Sequence, residues 1–107
     1  MKVIKGVLEE ELENSLRQEK AYRKAHQAIP AGSLIKKNIK GRDYYYLVLR
    51  EEGQVKFVYK GKLSKEEIKK YQENKKMRGK YRKLLSDLKK QISFLRKALR
   101  AKEIRSV

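Results

Sequence analysis

The sequence predicts an α+β fold: an N-terminal helix, a three-stranded antiparallel β-meander, and a long C-terminal helix packing back on the first as an antiparallel coiled-coil-like pair. Three observations lead there. Leucines recur at helical spacing ahead of the chain's single proline, Pro30. Between residues 33 and 60, β-branched and aromatic residues fall in three short runs separated by glycine-bearing turns. From Ser64 a capping motif opens a helical pattern that settles into a seven-residue apolar rhythm. At 107 residues the chain is expected to form a single domain, 1–107. Its core must be thin, because charged residues (40%) match hydrophobic ones (39%).

The first helix is predicted over residues 8–28. Leu8, Leu12 and Leu16 share a face, continued by Tyr22, Ala25 and Ile29. Glu9, Glu10, Glu11 and Glu13 cluster near its expected start, where carboxylates complement the positive end of the helix dipole. Pro30 stops it by pushing the preceding residue away from helical angles, and Pro30-Ala31-Gly32 makes a turn.

Strands follow at Ser33–Ile39, Tyr44–Arg50 and Val55–Lys60. They are separated by Lys40-Gly41-Arg42-Asp43 and Glu51-Glu52-Gly53-Gln54, each with a glycine able to adopt positive φ. In the central strand Tyr45, Leu47 and Leu49 form the more apolar alternate set, expected to face a helix. That assigns Tyr44, Tyr46 and Arg50 to the open face, together with Lys36, Lys56 and Lys60 from the neighbouring strands.

Ser64-Lys65-Glu66-Glu67 is a capping box, with Leu63 and Ile68 at the hydrophobic-staple positions. The helix it starts is predicted to run to residue 104, with a bend or loosening at Gly79, which costs ~1 kcal/mol relative to Ala. Beyond Gly79, the residues Tyr81, Leu85, Leu88, Ile92, Leu95 and Leu99 alternate four and three apart, a coiled-coil seam widened by Leu84 and Ala98. The seam is short for an independent zipper, so the first helix is its simplest partner. A homodimer through the Tyr81–Leu99 seam is the alternative.

Charge dominates the composition. Thirty Lys and Arg against 13 Asp and Glu leave a formal net charge of +17. Solubility is served by magnitudes of roughly 2–8, so a field this large and single-signed points to an anionic partner. Residues 1–31 carry a net +1, residues 32–62 a net +5 and residues 63–107 a net +11. The last helix also orders its charge: Arg82-Lys83, Lys89-Lys90 and Arg96-Lys97 recur every seven residues, about 10.5 Å apart at helical rise. Such a stripe suits a phosphate backbone, although basic residues also flank coiled-coil seams for solubility alone. Pairing of Glu9 to Glu13 with Arg96 and Arg100 across an antiparallel helix pair would neutralise part of it. On the sheet, Arg42, Tyr44, Tyr46 and Arg50 interleave cations with aromatic rings, a pattern suited to nucleic acid and also to ordinary strand packing.

The expected function is therefore non-catalytic nucleic-acid binding, DNA favoured over RNA, through Arg82, Lys83, Lys89, Lys90, Arg96 and Lys97 with Arg42, Tyr44, Tyr46 and Arg50. The alternative is a helical protein–protein interaction module that oligomerises or binds an acidic protein surface. No catalytic or metal constellation is legible. There is no cysteine, and the single histidine, His26, is expected on a helix surface. The Glu9-Glu10-Glu11 run points in several directions around a helix and does not converge on a cation. No cofactor, small-molecule substrate or membrane partner is expected. The start lacks the apolar stretch of a signal peptide, no apolar run approaches a membrane span, and the lack of cysteine fits a cytoplasmic setting.

Ile29-Pro30-Ala31-Gly32-Ser33-Leu34, Gly41-Arg42-Asp43-Tyr44-Tyr45-Tyr46 and Tyr59-Lys60-Gly61-Lys62 resemble the core of a family of short, basic prokaryotic proteins with no established function. The resemblance extends into the basic helix and implies no activity or site residue. Three strands followed by a helix is also similar in topology to the small sheet domains with which some phage-type integrases grip DNA.

Overall fold

The computed structural model describes residues 2–101, in the order α1 (Lys2–Ala28), β1 (Ser33–Ile39), β2 (Arg42–Glu51), β3 (Gln54–Gly61) and α2 (Lys65–Arg100). The chain divides into two compact units. One comprises α1 with the part of α2 from Lys80 onward; the other is Ile29–Gly79, holding the sheet and the first turns of α2. Helical hydrogen bonding in α2 continues through Gly79, and the predicted end of this helix at residue 104 lies outside the described residues.

In the helical unit, α1 and α2 run antiparallel. Tyr22 meets Tyr81 with ring centroids 5.9 Å apart, and Gln91 Nε2 donates a 2.8 Å hydrogen bond to the Ser15 hydroxyl. Leu88, Ile92 and Leu95 of the predicted seam are buried, so α1 fills that seam within the chain. The shielded positions of α1 include Leu8, Leu12, Ser15, Glu19, Tyr22 and His26, a four-three alternation matching that of α2, with Asn14 and the predicted Ala25 shielded beside it. Leu16, expected on this stripe, stands beside it at 37% exposure. The reason is geometric: repeated steps of four drift about 40° each around a helix of 3.6 residues per turn, whereas alternating four and three stays on the partner. Polar residues at 15, 19 and 26 hid that alternation.

Two further expectations change here. His26 occupies a seam position, and its Nε2 is shielded from solvent without a hydrogen-bond partner, so it is not a surface histidine. The helix begins at Lys2 and not at residue 8, so Glu9 to Glu13 lie beyond the first turn, which carries no acid. Nor do they pair with Arg96 or Arg100: among the described residues the ion pairs are Arg23–Glu19 and Lys56–Glu51. Glu9, Glu10, Glu11 and Glu13 are exposed and solvated.

In the other unit the sheet has the order β1-β2-β3, antiparallel throughout. β1 has the predicted bounds, while β2 and β3 are longer than predicted because each turn uses only two central residues. Lys40 and Gly41 (φ 52° and 81°) and Glu52 and Gly53 (φ 50° and 77°) all lie in the left-handed region, as type I′ hairpin turns require. Asn38 braces the first turn, accepting from the Gly41 amide at 3.2 Å and donating to Asp43 at 2.9 Å.

Cross-strand partners share a face, so the register assigns every side chain. Leu34 opposes Leu47, Lys36 opposes Tyr45, Leu47 opposes Val58 and Leu49 opposes Lys56. This face is covered by α2: Leu34 and Tyr45 share a cleft with Ile68 and Tyr71, and Leu47 is buried. Lys36 and Lys56, expected on the open face, belong to the helix-facing one; Lys60 sits at the β-bulge between the Tyr46–Tyr59 and Tyr45–Gly61 pairs. The α2 start is as predicted. The Glu67 amide donates to the Ser64 hydroxyl at 3.1 Å while the Glu67 carboxylate accepts from the Ser64 amide at 3.5 Å.

Candidate nucleic-acid interface

In the helical unit all six predicted cations of α2 are exposed: Arg82, Lys83, Lys89, Lys90, Arg96 and Lys97. None has a carboxylate within ion-pairing distance among the described residues. The heptad sorts them into two rows. Arg82, Lys89 and Arg96 adjoin the seam, and Lys83, Lys90 and Lys97 stand one residue, roughly 100°, further round the helix. Lys89 and Arg96 of the inner row border a groove of about 470 Å³ between the two helices, floored in part by Ile92. Arg23 of α1 and Arg100 of α2 line the same groove with Lys89 and Arg96. Its one carboxylate, Glu19, lies 3.7 Å from Arg23. Among the described residues, three of the four guanidinium and ammonium groups are thus left without an anion in a concave site, where low-dielectric walls strengthen their pull on phosphate.

In the sheet unit, strand alternation brings Arg42, Tyr44, Tyr46 and Arg50 to one face, the one that α2 does not cover. Lys37 opposes Tyr44, Ile35 opposes Tyr46, Phe57 opposes Val48 and Tyr59 opposes Tyr46. The Tyr46 and Tyr59 rings lie 5.3 Å apart at 58°. Phe57 is 65% exposed and Tyr59 58%. The strand carboxylates Asp43 and Glu51 fall on the other face by the same alternation, and Glu51 there pairs with Lys56 at 2.9 Å.

The structure therefore brings the sequence-predicted residues together in two groups, one in each unit. It adds Arg23 and Arg100 to the helical group, and exchanges Lys36 for Lys37 and adds Phe57 and Tyr59 on the sheet. The signal for the sheet residues was present in the turns. Read as two-residue type I′ loops, Lys40-Gly41 and Glu52-Gly53 set Tyr44 opposite Lys37 and Val48 opposite Phe57 by simple counting. The same count sets Tyr46 opposite Tyr59; it fails only one step further, at the bulge, where Tyr45 pairs with Gly61 (φ 72°) and not with Lys60.

Among the described residues no helix is long and apolar enough to cross a membrane. Comparison with protein-family models finds no match, and neither curated proteins nor solved structures give one.

Proposed function

We propose that this chain is a non-catalytic nucleic-acid-binding protein that grips the phosphate backbone with the basic rows of α2 and presents the Tyr- and Arg-bearing sheet face as a second contact surface. The observation that carries this reading is that Arg82, Lys83, Lys89, Lys90, Arg96 and Lys97 have no ion-pair partner among the described residues, in a chain of net charge +17. A solubilising surface would intersperse both signs; this one accumulates one sign along a helix and in the adjoining groove. Affinity would come from release of counterions condensed on the nucleic acid. If all six cations contact phosphate on duplex DNA, log Kd changes with log salt with a slope of roughly 5 in magnitude. A salt series of binding to duplex DNA tests this directly, and a salt-insensitive interaction would refute it.

A second reading, a helical module for oligomerisation or for an acidic protein surface, is favoured by the exposure of Val3, Ile4 and Val7 on α1. A homodimer through Tyr81–Leu99 would require α1 to be exchanged or displaced, since Leu88, Ile92 and Leu95 are already buried within the chain. Sedimentation separates the two: a stable dimer indifferent to nucleic acid supports the module.

A further inference from the structure

We infer that the open face of the sheet is a stacking platform for unpaired bases, so that the ligand of this surface is single-stranded nucleic acid. The inference rests on the nucleic-acid reading above and names the form of nucleic acid that this face takes.

Four rings, Tyr44, Tyr46, Phe57 and Tyr59, share the face. Two shallow hollows flank Tyr46. One, of about 390 Å³, lies among Ile35, Lys36, Lys37, Tyr46 and Phe57; the other, of about 480 Å³, lies among Ile39, Tyr44, Tyr46 and Tyr59. Tyr46 is thus a wall common to two adjacent aromatic sites, an arrangement that would receive consecutive bases on either side of one ring.

The chemistry of the face selects unpaired bases over duplex. Within a duplex the π-faces are already stacked on one another, and a protein meets base edges, which are read by hydrogen-bonding side chains. The centre of this face holds Ile35, Val48 and Phe57, which offer no side-chain hydrogen bond. It offers π-faces and apolar contact, which a free base can use and a paired one cannot. Phe57, 65% exposed, contributes little to the fold by being there, and exposed apolar side chains grouped in a patch mark a binding surface.

Charge argues for a polyanion here over an apolar protein partner. Lys37, Arg42 and Arg50 surround the rings, while the strand carboxylates Asp43 and Glu51 lie on the other face. Phosphates linking the stacked bases would meet cations at the border and no repelling group within the strands.

The test compares a short oligothymidylate with a blunt duplex of the same length, by fluorescence anisotropy at one low salt concentration. The variants are the double substitution Phe57→Ala with Tyr59→Ala, and Phe57→Trp. Both residues are more than half exposed, so the fold should survive, and thermal melting confirms it. Stacking is worth ~1–3 kcal/mol per base, so the double substitution should weaken oligothymidylate binding roughly 10- to 100-fold and change duplex binding less than about twofold. The chain has no tryptophan, so Phe57→Trp provides a single reporter, and its fluorescence should be quenched by oligothymidylate. The inference is overturned if the double variant binds oligothymidylate as the parent does, or loses duplex affinity equally. It is also overturned if sedimentation shows a dimer abolished by the double substitution while the fluorescence of the Phe57→Trp variant ignores oligothymidylate, since a second copy would then cover the face. Failure of the parent protein to bind either probe would instead remove the nucleic-acid reading itself.

Discussion

Ser15 and Gln91 are joined by a 2.8 Å hydrogen bond across the α1–α2 pair, at a point where Ser15 is only 1% exposed. A small polar residue at a seam position lets the two backbones approach closely and ties one register by a directional contact. Ser15→Leu should therefore destabilise by ~1–3 kcal/mol through overpacking. Ser15→Ala, which nearly keeps the volume and removes the hydrogen bond, should cost about 0.5–1.5 kcal/mol. Urea unfolding measures both, and a stabilised Leu variant would contradict the close approach.

Gly32 sits at φ +115°, and a Cβ added there would fall 2.8 Å from Leu47 Cδ1 and 2.9 Å from Leu49 Cδ2. Leu47 is the buried residue of the sheet unit, so it has little room to retreat. Gly32→Ala combines backbone strain with overpacking, each of order 1–3 kcal/mol. Loss of Tm by several degrees, with the sheet unit the first to become susceptible to protease, is the expected result.

The type I′ turns hold two non-glycine residues, Lys40 and Glu52, in the left-handed region. Asparagine tolerates that region better, so Glu52→Asn should raise stability by a few tenths of a kcal/mol, whereas Gly53→Ala should lower it by ~1–2 kcal/mol. Thermal melting of the two variants checks both signs. Because this turn sets Phe57 opposite Val48, a destabilising Glu52→Asn would mean that the turn type, and with it the assignment of the aromatic face, is wrong.

Ser64 satisfies the Glu67 amide at the start of α2 while Glu67 reaches back to the Ser64 amide. Ser64→Ala should cost ~0.5–2 kcal/mol in urea unfolding. Its effect on nucleic-acid binding should be negligible at temperatures well below Tm, which separates a capping role from a ligand contact.

For binding, Lys89→Ala with Lys90→Ala should reduce the magnitude of the duplex salt slope by roughly 1.8, at about 0.9 per phosphate contact, and weaken all sequences alike. Arg42→Ala or Arg50→Ala should lower the slope measured on a single strand by about 0.7, the contribution of one contact there, and leave the duplex value almost unchanged. An unchanged duplex slope in the Lys89 and Lys90 variant would rule out phosphate contact by these two side chains.

The sequence by itself determined the element order and the α2 seam, because capping, glycine turns and the four-three spacing from Tyr81 to Leu99 act over a few residues and need no partner to be read. It also determined which cations of α2 are exposed, since the seam dictates the complementary surface. Only the tertiary structure decided the rest. That Ser15, Glu19 and His26 are shielded in the helix pair, while Leu16 stays exposed at the edge of the groove, depends on the phase of a second helix, which polar residues conceal until the two are packed. That Phe57 and Tyr59 join Tyr46, while Lys36 and Lys56 turn to the covered face, depends on strand register. A side-chain period of two means that a register shifted by a single residue transfers every side chain to the opposite face.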